Sequence, residues 1–352
     1  MGLSRLRLKI VALCLLLVSS ARWAWSKGLS YDASPRHIRP VSIPGGTKGI
    51  GFDDMNFSPS LKQMLVPGGR MGDLFLVDPQ THDVSEIGGF SVHLKYHGGH
   101  DEGVTSADSN KSFIFATDRT SMKLNLIDSK SRKIIASAPL AGEPDYVRYV
   151  ASHNELWVTE PRKNQIEVFS FNPREEPPLR HLKFISIAQG PESLVIDEKN
   201  RHAFTNSTSS ETAVIDLKSK KILAHWPNHC ARARGLALDL KNQFLFVGCA
   251  EGKVETLDAA HGGKVLGTAR SGRGVDIIAY NPLLSHLYMP GSKSGTMAIV
   301  HVLRSGKLHV DATMPTAQGA HCVASDDKNG VWICDPHKGR LLFFQDSRVR
   351  VK

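Results

Sequence analysis

Many signatures of familiar chemistry are missing from this chain of 352 residues. Its five cysteines form no Cys-x-x-Cys pair, which argues against a zinc ribbon, and no Cys-x-x-Cys-His, which argues against covalently attached c-type haem. The chain has no Gly-rich phosphate loop, no nucleophile elbow and no zincin helix. It also has no Lys/Arg block interleaved with aromatics, so we expect no nucleic acid among its partners.

The N-terminal 26 residues predict a secretory signal peptide. Basic residues precede an apolar run from Ile10 to Val18, and a cleavage site follows near Ala24-Trp25-Ser26. An uncleaved membrane anchor is the alternative, although the run is short for a span. We expect residues 27–352 to form one domain, periplasmic or secreted, with no stable membrane span after cleavage.

Removal of that segment lowers the net charge. Residues 1–26 hold four basic residues and no acidic one, so the formal net charge falls from +10 to +6. A modest positive charge on a domain of this size is usual for a solvated surface. It permits anionic partners without indicating them.

A pattern of aliphatic residues, Asp, a polar turn, Lys and more aliphatics recurs along the chain. Its clearest copies contain Asp128, Asp216 and Asp258, and a weaker copy contains Asp78. Copies lie roughly 40–50 residues apart, or about twice that where one has decayed, which is the spacing of stacked four-stranded sheets. Between them, short strands rich in β-branched and aromatic residues alternate with Gly, Asn and Asp turns and leave little room for helices.

Alignment on this pattern gives seven units and predicts an all-β fold, a seven-bladed β-propeller. The last unit ends after its third strand, and residues His37 to Ile43 could supply the missing outer strand and close the ring. An open β-solenoid is the rival architecture, disfavoured by the length of the repeat. The first strands of the units are predicted to begin near Met55, Val104, Val147, Leu194, Leu236, Ile277 and Val323.

Two segments in the middle of the chain carry a family resemblance. Ala203-Phe204-Thr205-Asn206, followed by Thr212 to Asp216, resembles the YVTN-type β-propeller repeat, in which Tyr-Val-Thr-Asn precedes a Val-Ile-Asp strand. Leu156-Trp157-Val158-Thr159 is similar, and the likeness extends over most of residues 45–346. Such motifs specify strand packing, so they imply a fold more than a chemistry. The wider group includes periplasmic proteins without known reaction, haem d1-binding propellers and sugar lactonases.

Four cysteines remain in the expected exported domain, a setting that favours disulfides. Cys322 and Cys334 flank a predicted hairpin, and Cys230 and Cys249 lie at one end of another. Of the three possible connectivities, we predict the pairs 230–249 and 322–334.

The residue before each innermost strand should face the mouth of the central channel. This position is predicted to hold Asp53, Glu102, Asp145, Glu192, Arg234, Asp276 and His321, with Asp54 and Asp101 as neighbours to which the alignment could slip. We predict a ligand-binding site there. The competing interpretation is that these side chains only cap turns.

Close carboxylates repel one another unless a positive group lies among them. A divalent cation, Ca²⁺ or Zn²⁺, held by Glu102, Asp145, Glu192 and His321 would relieve that repulsion. Otherwise one carboxyl group takes a raised pKa and could serve as a general acid or base. The calcium-dependent gluconolactonase-like propellers resemble this arrangement, although their Pro-Asn-Gly and Pro-Asp-Gly turns are absent from this chain.

Basic side chains are expected around the same mouth. Four arginines that could bind a carboxylate or phosphate, or simply be solvated, precede the fifth and sixth first strands: Arg232, Arg234, Arg270 and Arg273. His93, His97 and His100 cluster before the second blade and predict weak metal binding. A porphyrin would require His100 or His321 as its axial ligand.

The sequence favours an exported propeller that binds a small ligand or a protein partner of the cell envelope through its funnel. We expect it to be a monomer, and the sequence leaves open whether it is an enzyme. A metal-dependent lactonase or hydrolase is one alternative. A redox propeller that handles a tetrapyrrole or a quinone is the other.

Overall fold

A computed structural model describes residues 37–347 of the chain. They form seven four-stranded antiparallel sheets, so the predicted seven-bladed β-propeller is confirmed. The predicted signal peptide, residues 1–26, lies outside the described residues. No helix within residues 37–347 is long and apolar enough to cross a membrane.

The first three blades follow one another in chain order, each with its innermost strand first. Blade 1 contains β2 (Asn56–Ser58), β3 (Gln63–Pro67), β4 (Asp73–Val77) and β5 (Val84–Gly88). Blade 2 contains β6 (Val104–Ser109), β7 (Phe113–Asp118), β8 (Lys123–Asp128) and β9 (Lys133–Pro139). Blade 3 contains β10 (Val147–Val150), β11 (Glu155–Glu160), β12 (Gln165–Phe171) and β13 (Leu179–Ser186).

The next three blades repeat the same order. Blade 4 contains β14 (Glu192–Asp197), β15 (His202–Ser207), β16 (Glu211–Asp216) and β17 (Ile222–Pro227). Blade 5 contains β18 (Ala233–Asp239), β19 (Phe244–Cys249), β20 (Lys253–Asp258) and β21 (Lys264–Arg270). Blade 6 contains β22 (Ala279–Asn281), β23 (His286–Gly291), β24 (Thr296–Val302) and β25 (Leu308–Pro315).

Blade 7 joins the two ends of the described chain. It contains β26 (Val323–Ser325), β27 (Gly330–Asp335) and β28 (Arg340–Gln345), and its outer strand is β1 (Arg39–Ser42). β1 pairs antiparallel with β28, with Val41 opposite Leu341. The predicted closing strand within His37 to Ile43 is therefore confirmed. Two short 3-10 helices, Gly46–Lys48 and Pro161–Lys163, lie in connecting loops.

The hydrophobic core lies between the blades. Every residue of β11, β19, β23 and β27 is buried, because second strands pack against a neighbouring blade on both faces. The outer strands β9 and β17 alternate between exposed and partly buried residues along much of their length. Burial is thus greatest in the second strands and lower both in the innermost strands, such as β2 and β10, and in the outermost strands.

The aspartate of the repeat has a structural role. Asp128 ends β8, and its Oδ1 accepts the backbone N–H of Ser131 at 2.7 Å. Asp216 ends β16 and accepts the N–H of Ser219 at 2.6 Å in the same way. These backbone hydrogen bonds lower the pKa of both aspartates. The pattern therefore recurs in the chain because its aspartate stabilises the turn after a third strand, away from the innermost strands that line the channel.

Both predicted disulfides are present. Cys230 pairs with Cys249 at a Cα–Cα distance of 5.3 Å, and Cys322 pairs with Cys334 at 5.6 Å. Each bridge connects the segment leading into an innermost strand with the end of the neighbouring second strand. It thereby fixes a hairpin next to the channel.

The closing strand can be tested at Val41, whose side chain is buried while its neighbour Ser42 is exposed. We expect Val41→Asp to lower the free energy of unfolding by about 3 kcal/mol or more, because it buries a carboxylate in the seam between β1 and β28. Ser42→Asp should change stability by no more than about 0.5 kcal/mol. Urea titration measures both. Equal effects of the two substitutions on the free energy of unfolding would contradict the pairing of β1 with β28.

Candidate functional site

Hydrogen bonds between neighbouring innermost strands identify the equivalent position in each blade. The N–H groups of Asp54, Gly235 and Ile277 donate to the carbonyl oxygens of Thr105, Asp276 and His321, respectively. The hydroxyl oxygens of Ser106 and Ser193 accept from Val147 and Leu236 at 2.9 and 3.1 Å. Together these bonds align Asp53, Thr105, Asp145, Glu192, Arg234, Asp276 and His321.

The structure thus places six of the seven predicted residues at the equivalent position, with Thr105 in place of Glu102. Glu102 lies three residues earlier in a long loop, where its Oε1 is 3.6 Å from Nδ1 of His93. Gly103 follows with a φ of 68°, so the chain turns before the strand begins. The acidic pair Asp101-Glu102 resembles the acidic residues that precede other innermost strands. The prediction of Glu102 for this position was therefore wrong by three residues.

A cavity of about 140 Å³, here called the upper cavity, lies at this mouth of the channel. Loops between successive blades and turns between second and third strands surround it. Its acidic lining residues are Asp53, Asp101, Glu143, Asp145, Glu192 and Asp276. Its basic lining residues are His100, Arg119, Arg162 and Arg234.

Arg119 is the central cation of the upper cavity, and no sequence pattern pointed to it. It follows β7, and its side chain is only 7% exposed. Its Nη2 pairs with Asp145 and lies 3.3 Å from Asp53, while its Nε donates to the carbonyl of Pro144 at 2.8 Å. One buried guanidinium therefore forms ion pairs with two carboxylates from different blades.

His100 is the second cation that contacts the carboxylates of the upper cavity. Its Nδ1 lies 2.9 Å from Oδ2 of Asp53, and its ring stacks on that of His321 with centroids 4.8 Å apart. The charge of Asp53 raises the pKa of His100 to about 10. Burial raises the pKa of Asp53, but His100 and Arg119 outweigh burial, so that pKa lies below its ordinary value. His100 and Asp53 thus form an ion pair at neutral pH.

Asp145 and Glu192 are less stabilised in their ionised form than Asp53. Burial raises the pKa of Asp145 to about 7 despite the opposing effect of Arg119, so this group is half protonated near neutral pH. Burial also raises the pKa of Glu192, which is paired with Arg234. Asp145 is therefore the group that could exchange a proton with a ligand.

Asp276 differs from its neighbours because its ion-pair contacts are long and its side chain accepts no hydrogen bond from the described residues. Its oxygens lie 4.0 Å from Nε of Arg234 and 3.8 Å from Nε2 of His100, and no hydrogen bond to its side chain is present within residues 37–347. Its side chain is 27% exposed. Asp276 thus presents a carboxylate to the cavity at a distance that a ligand atom or water could bridge.

The four residues predicted to hold a cation are not gathered. Glu102 contacts His93, and Asp145 and Glu192 pair with arginines. Both ring nitrogens of His321 contact backbone carbonyls, of Gly319 at 2.7 Å and Phe52 at 2.8 Å. In the described part of the chain, these four side chains form no cluster with metal-ligand spacing. A cation here stays a prediction that would require these contacts to open.

The remaining predicted basic residues are dispersed. Arg232, Arg270 and Arg273 are exposed and do not line the upper cavity, whereas Arg234 does. Of the three clustered histidines, only His100 lines the cavity. His93 contacts Thr120 at 3.2 Å, and His97 is exposed. The least exposed guanidinium groups of the upper cavity are therefore those of Arg119, which was not predicted, and Arg234, which was.

Tyr146 and Ser193 line the upper cavity and also a second cavity. The second, the lower cavity, has a volume of about 360 Å³ and lies at the opposite mouth. There Arg148 binds Asp54 in bidentate fashion, at 2.6 and 2.9 Å, and its guanidinium carbon lies 5.1 Å from the Tyr146 ring centroid. Asp54 thus belongs to the lower cavity, unlike Asp53.

Fold and site define this chain as a seven-bladed β-propeller with a charged cavity at one channel mouth. Hydrazine synthase of Kuenenia stuttgartiensis is similar in structure, with a TM-score of 0.69 at 14% identity over 86% of this chain and 97% of that chain. A chain of the mitotic checkpoint complex gives a TM-score of 0.72 at 13% identity, covering 96% of this chain and 99% of the other.

The β-propeller domain of Cps50 (Swd1) from Myceliophteria thermophila is also similar, with a TM-score of 0.70 at 12% identity over 89% of this chain and all of that domain. At such identities these similarities show the fold alone. No family model and no curated protein matches the chain. Membership of the YVTN-type family therefore stays a prediction.

Removal of Arg119 should destabilise the fold. In Arg119→Met, Asp53 and Asp145 lose their shared cation while remaining buried, so we expect a loss of about 3–5 kcal/mol in the free energy of unfolding. Arg162→Met is the matched control, because Arg162 is 66% exposed, and should cost no more than about 0.5 kcal/mol. Chemical denaturation compares the two. A difference within error would refute the central role of Arg119.

The His100–Asp53 pair predicts a pH dependence of stability. The raised pKa means that folded protein keeps the His100 proton as pH increases from 6.5 to about 10, whereas unfolded protein releases it near 6.5. Stability is therefore lost across this window, by up to about 1.4 kcal/mol per pH unit. His100→Gln should flatten the loss, whereas exposed His97→Gln should keep it. Unfolding midpoints between about pH 6 and pH 9 test this.

Proposed function

We propose that this protein is an exported propeller that binds a small cationic group, such as an amine or guanidinium, in the upper cavity. The group is either a small ligand or a side chain of a protein partner. The observation that carries the proposal is Asp276, a partly buried carboxylate whose two ion-pair contacts, with His100 at 3.8 Å and Arg234 at 4.0 Å, are too long for hydrogen bonds.

The charge of the upper cavity supports a cation over an anion. Six carboxyl groups face three guanidinium groups and one imidazole. With His100 charged and Asp145 half protonated near neutral pH, the lining keeps a negative excess between one and two charges. Arg119 and Arg234 are already bound to carboxylates, so neither is available to an incoming anion without breaking a pair.

The size of the cavity restricts the ligand. Its volume of about 140 Å³ is below the range of about 300–1,000 Å³ typical of sites for drug-sized molecules. A single head group or side chain fits this space better than a porphyrin. The lactonase and redox alternatives have no specific observation in their favour, because the carboxylates are paired and both nitrogens of His321 contact carbonyls.

Export is supported by the predicted signal peptide together with the two disulfides. Structural disulfides persist in the periplasm and outside the cell but are rare in the cytosol. We therefore place the ligand or partner of this cavity in the cell envelope or beyond.

Calorimetry with matched probes tests the proposal. n-Butylamine and agmatine should bind, whereas butyrate, an anion of similar size, should not. Binding of the cations should strengthen from about pH 6 to about pH 8, because ionisation of Asp145 adds negative charge. Asp276→Asn should weaken it about tenfold or more.

Glu211→Gln is the matched control, because Glu211 is an exposed carboxylate on β16, the third strand of blade 4, and does not line the upper cavity. It should leave binding unchanged. Binding of butyrate as tight as that of butylamine would overturn the proposal, and so would cation binding that Asp276→Asn leaves intact. Near-ultraviolet circular dichroism checks that the variants retain the native fold.

A further inference from the structure

Three histidines form a row across three strands of blade 6. His286 on β23 is directly opposite His301 on β24, and His301 is directly opposite His309 on β25. Directly opposed residues of antiparallel strands point to the same face of a sheet. Asp311 lies where the register between β24 and β25 shifts, and its contacts with His309 at 2.9 Å and His286 at 3.6 Å place its carboxylate on that face. These four potential metal ligands therefore come together from three strands.

The side chains converge as the backbone pairing suggests. One ligand atom each from His286, His301 and Asp311 can be chosen so that all lie within 4.8 Å of one another. Nε2 of His286 lies 3.6 Å from Oδ2 of Asp311. In a tetrahedral zinc site with bonds of about 2.0–2.1 Å, neighbouring ligand atoms are about 3.4 Å apart. Small side-chain movements would therefore complete the geometry.

An outer layer of hydrogen bonds orients these groups. Nδ1 of His286 lies 2.6 Å from Oδ2 of Asp346, a fully buried carboxylate that also accepts from the hydroxyl of Tyr288 at 2.8 Å. Nδ1 of His309 lies 2.9 Å from Oδ1 of Asp311. A histidine that binds metal through one nitrogen typically donates its other N–H to a carboxylate, as His286 can to Asp346.

Two other groups of His, Cys and acidic side chains have similar spacing within residues 37–347. One contains Cys322 and Cys334, and the other contains Cys230 and Cys249. All four sulfurs are in disulfides and lack the thiolate charge that a metal ligand needs. The blade 6 group is thus the described cluster that contains no disulfide-bonded sulfur.

We propose that His286, His301 and Asp311 bind a divalent transition-metal cation of the Zn²⁺ type, at a site separate from the upper cavity. Two imidazoles and one carboxylate suit borderline cations such as Zn²⁺ better than Ca²⁺, which prefers a shell of oxygens. The bound cation connects β23, β24 and β25 and, through Asp346 beyond the end of β28, connects blade 6 to blade 7. It therefore stabilises the region where the ring closes.

Equilibrium dialysis of untagged, chelator-treated protein against Zn²⁺ tests the site, with bound metal measured by elemental analysis. We expect one Zn²⁺ per chain, a higher unfolding midpoint with Zn²⁺ and no comparable effect of Ca²⁺. His301→Gln and Asp311→Asn should each weaken binding at least about a hundredfold, and His309→Gln about tenfold.

Controls separate this site from others. His225→Gln removes an exposed histidine that contacts Glu211 at 3.5 Å, and Asp276→Asn alters the upper cavity. Both should keep full Zn²⁺ binding. Electron paramagnetic resonance of the Cu²⁺-loaded protein should show coupling to two imidazole nitrogens in the parent protein and to one in His301→Gln.

The number of imidazole nitrogens that couple to Cu²⁺ can be measured in the parent protein alone. The proposal therefore remains testable even if a variant fails to fold. Absence of Zn²⁺ binding at micromolar metal would overturn the proposal. Binding that His301→Gln and Asp311→Asn leave unchanged in folded protein, or that Asp276→Asn abolishes, would overturn it as well.

Discussion

The backbone hydrogen bonds between β1 and β28 hold both ends of the described chain in one sheet, and the arrangement of the channel depends on them. A blade without its fourth strand would leave an open edge of unpaired N–H and C=O groups. Once that edge is filled, the seven sheets form a closed ring around one axis. Their innermost strands then bring residues far apart in the sequence to a single mouth, whatever charge those residues carry.

This convergence creates an electrostatic problem that the loops resolve. Asp53 and Asp145 meet at the mouth while largely removed from water, where two unpaired carboxylates would be costly. Arg119 and His100, which come from loops and not from the aligned position, supply the compensating charge. Asp276 has only two long ion-pair contacts, with His100 and Arg234, and our proposal that the cavity binds a cation rests on this carboxylate.

Much of the architecture could be predicted because each blade repeats one local pattern. Counting from the aspartates of that pattern located six of the seven residues at the channel mouth. The count was wrong at the second blade, where the long loop between β5 and β6 contains Asp101 and Glu102 ahead of the true position at Thr105. Arg119 was not predictable, since the turn after a second strand has no repeated composition and only its tertiary position gives it a role.

Local patterns in the chain were sufficient for the strand order within each blade and for both disulfides, because hairpins and alternating burial depend on residues close in sequence. The closing strand pairs with a strand from the other end of the described chain, and the count of only three strands in the last unit was enough to predict it. Only the tertiary structure decided which charges pair, since Arg119, Asp53 and Asp145 come from three blades. It also decided that His286, His301 and Asp311 share one face of a sheet. Such contacts depend on distances across space that no periodicity encodes, so the chemistry of this propeller lies in the differences among its blades.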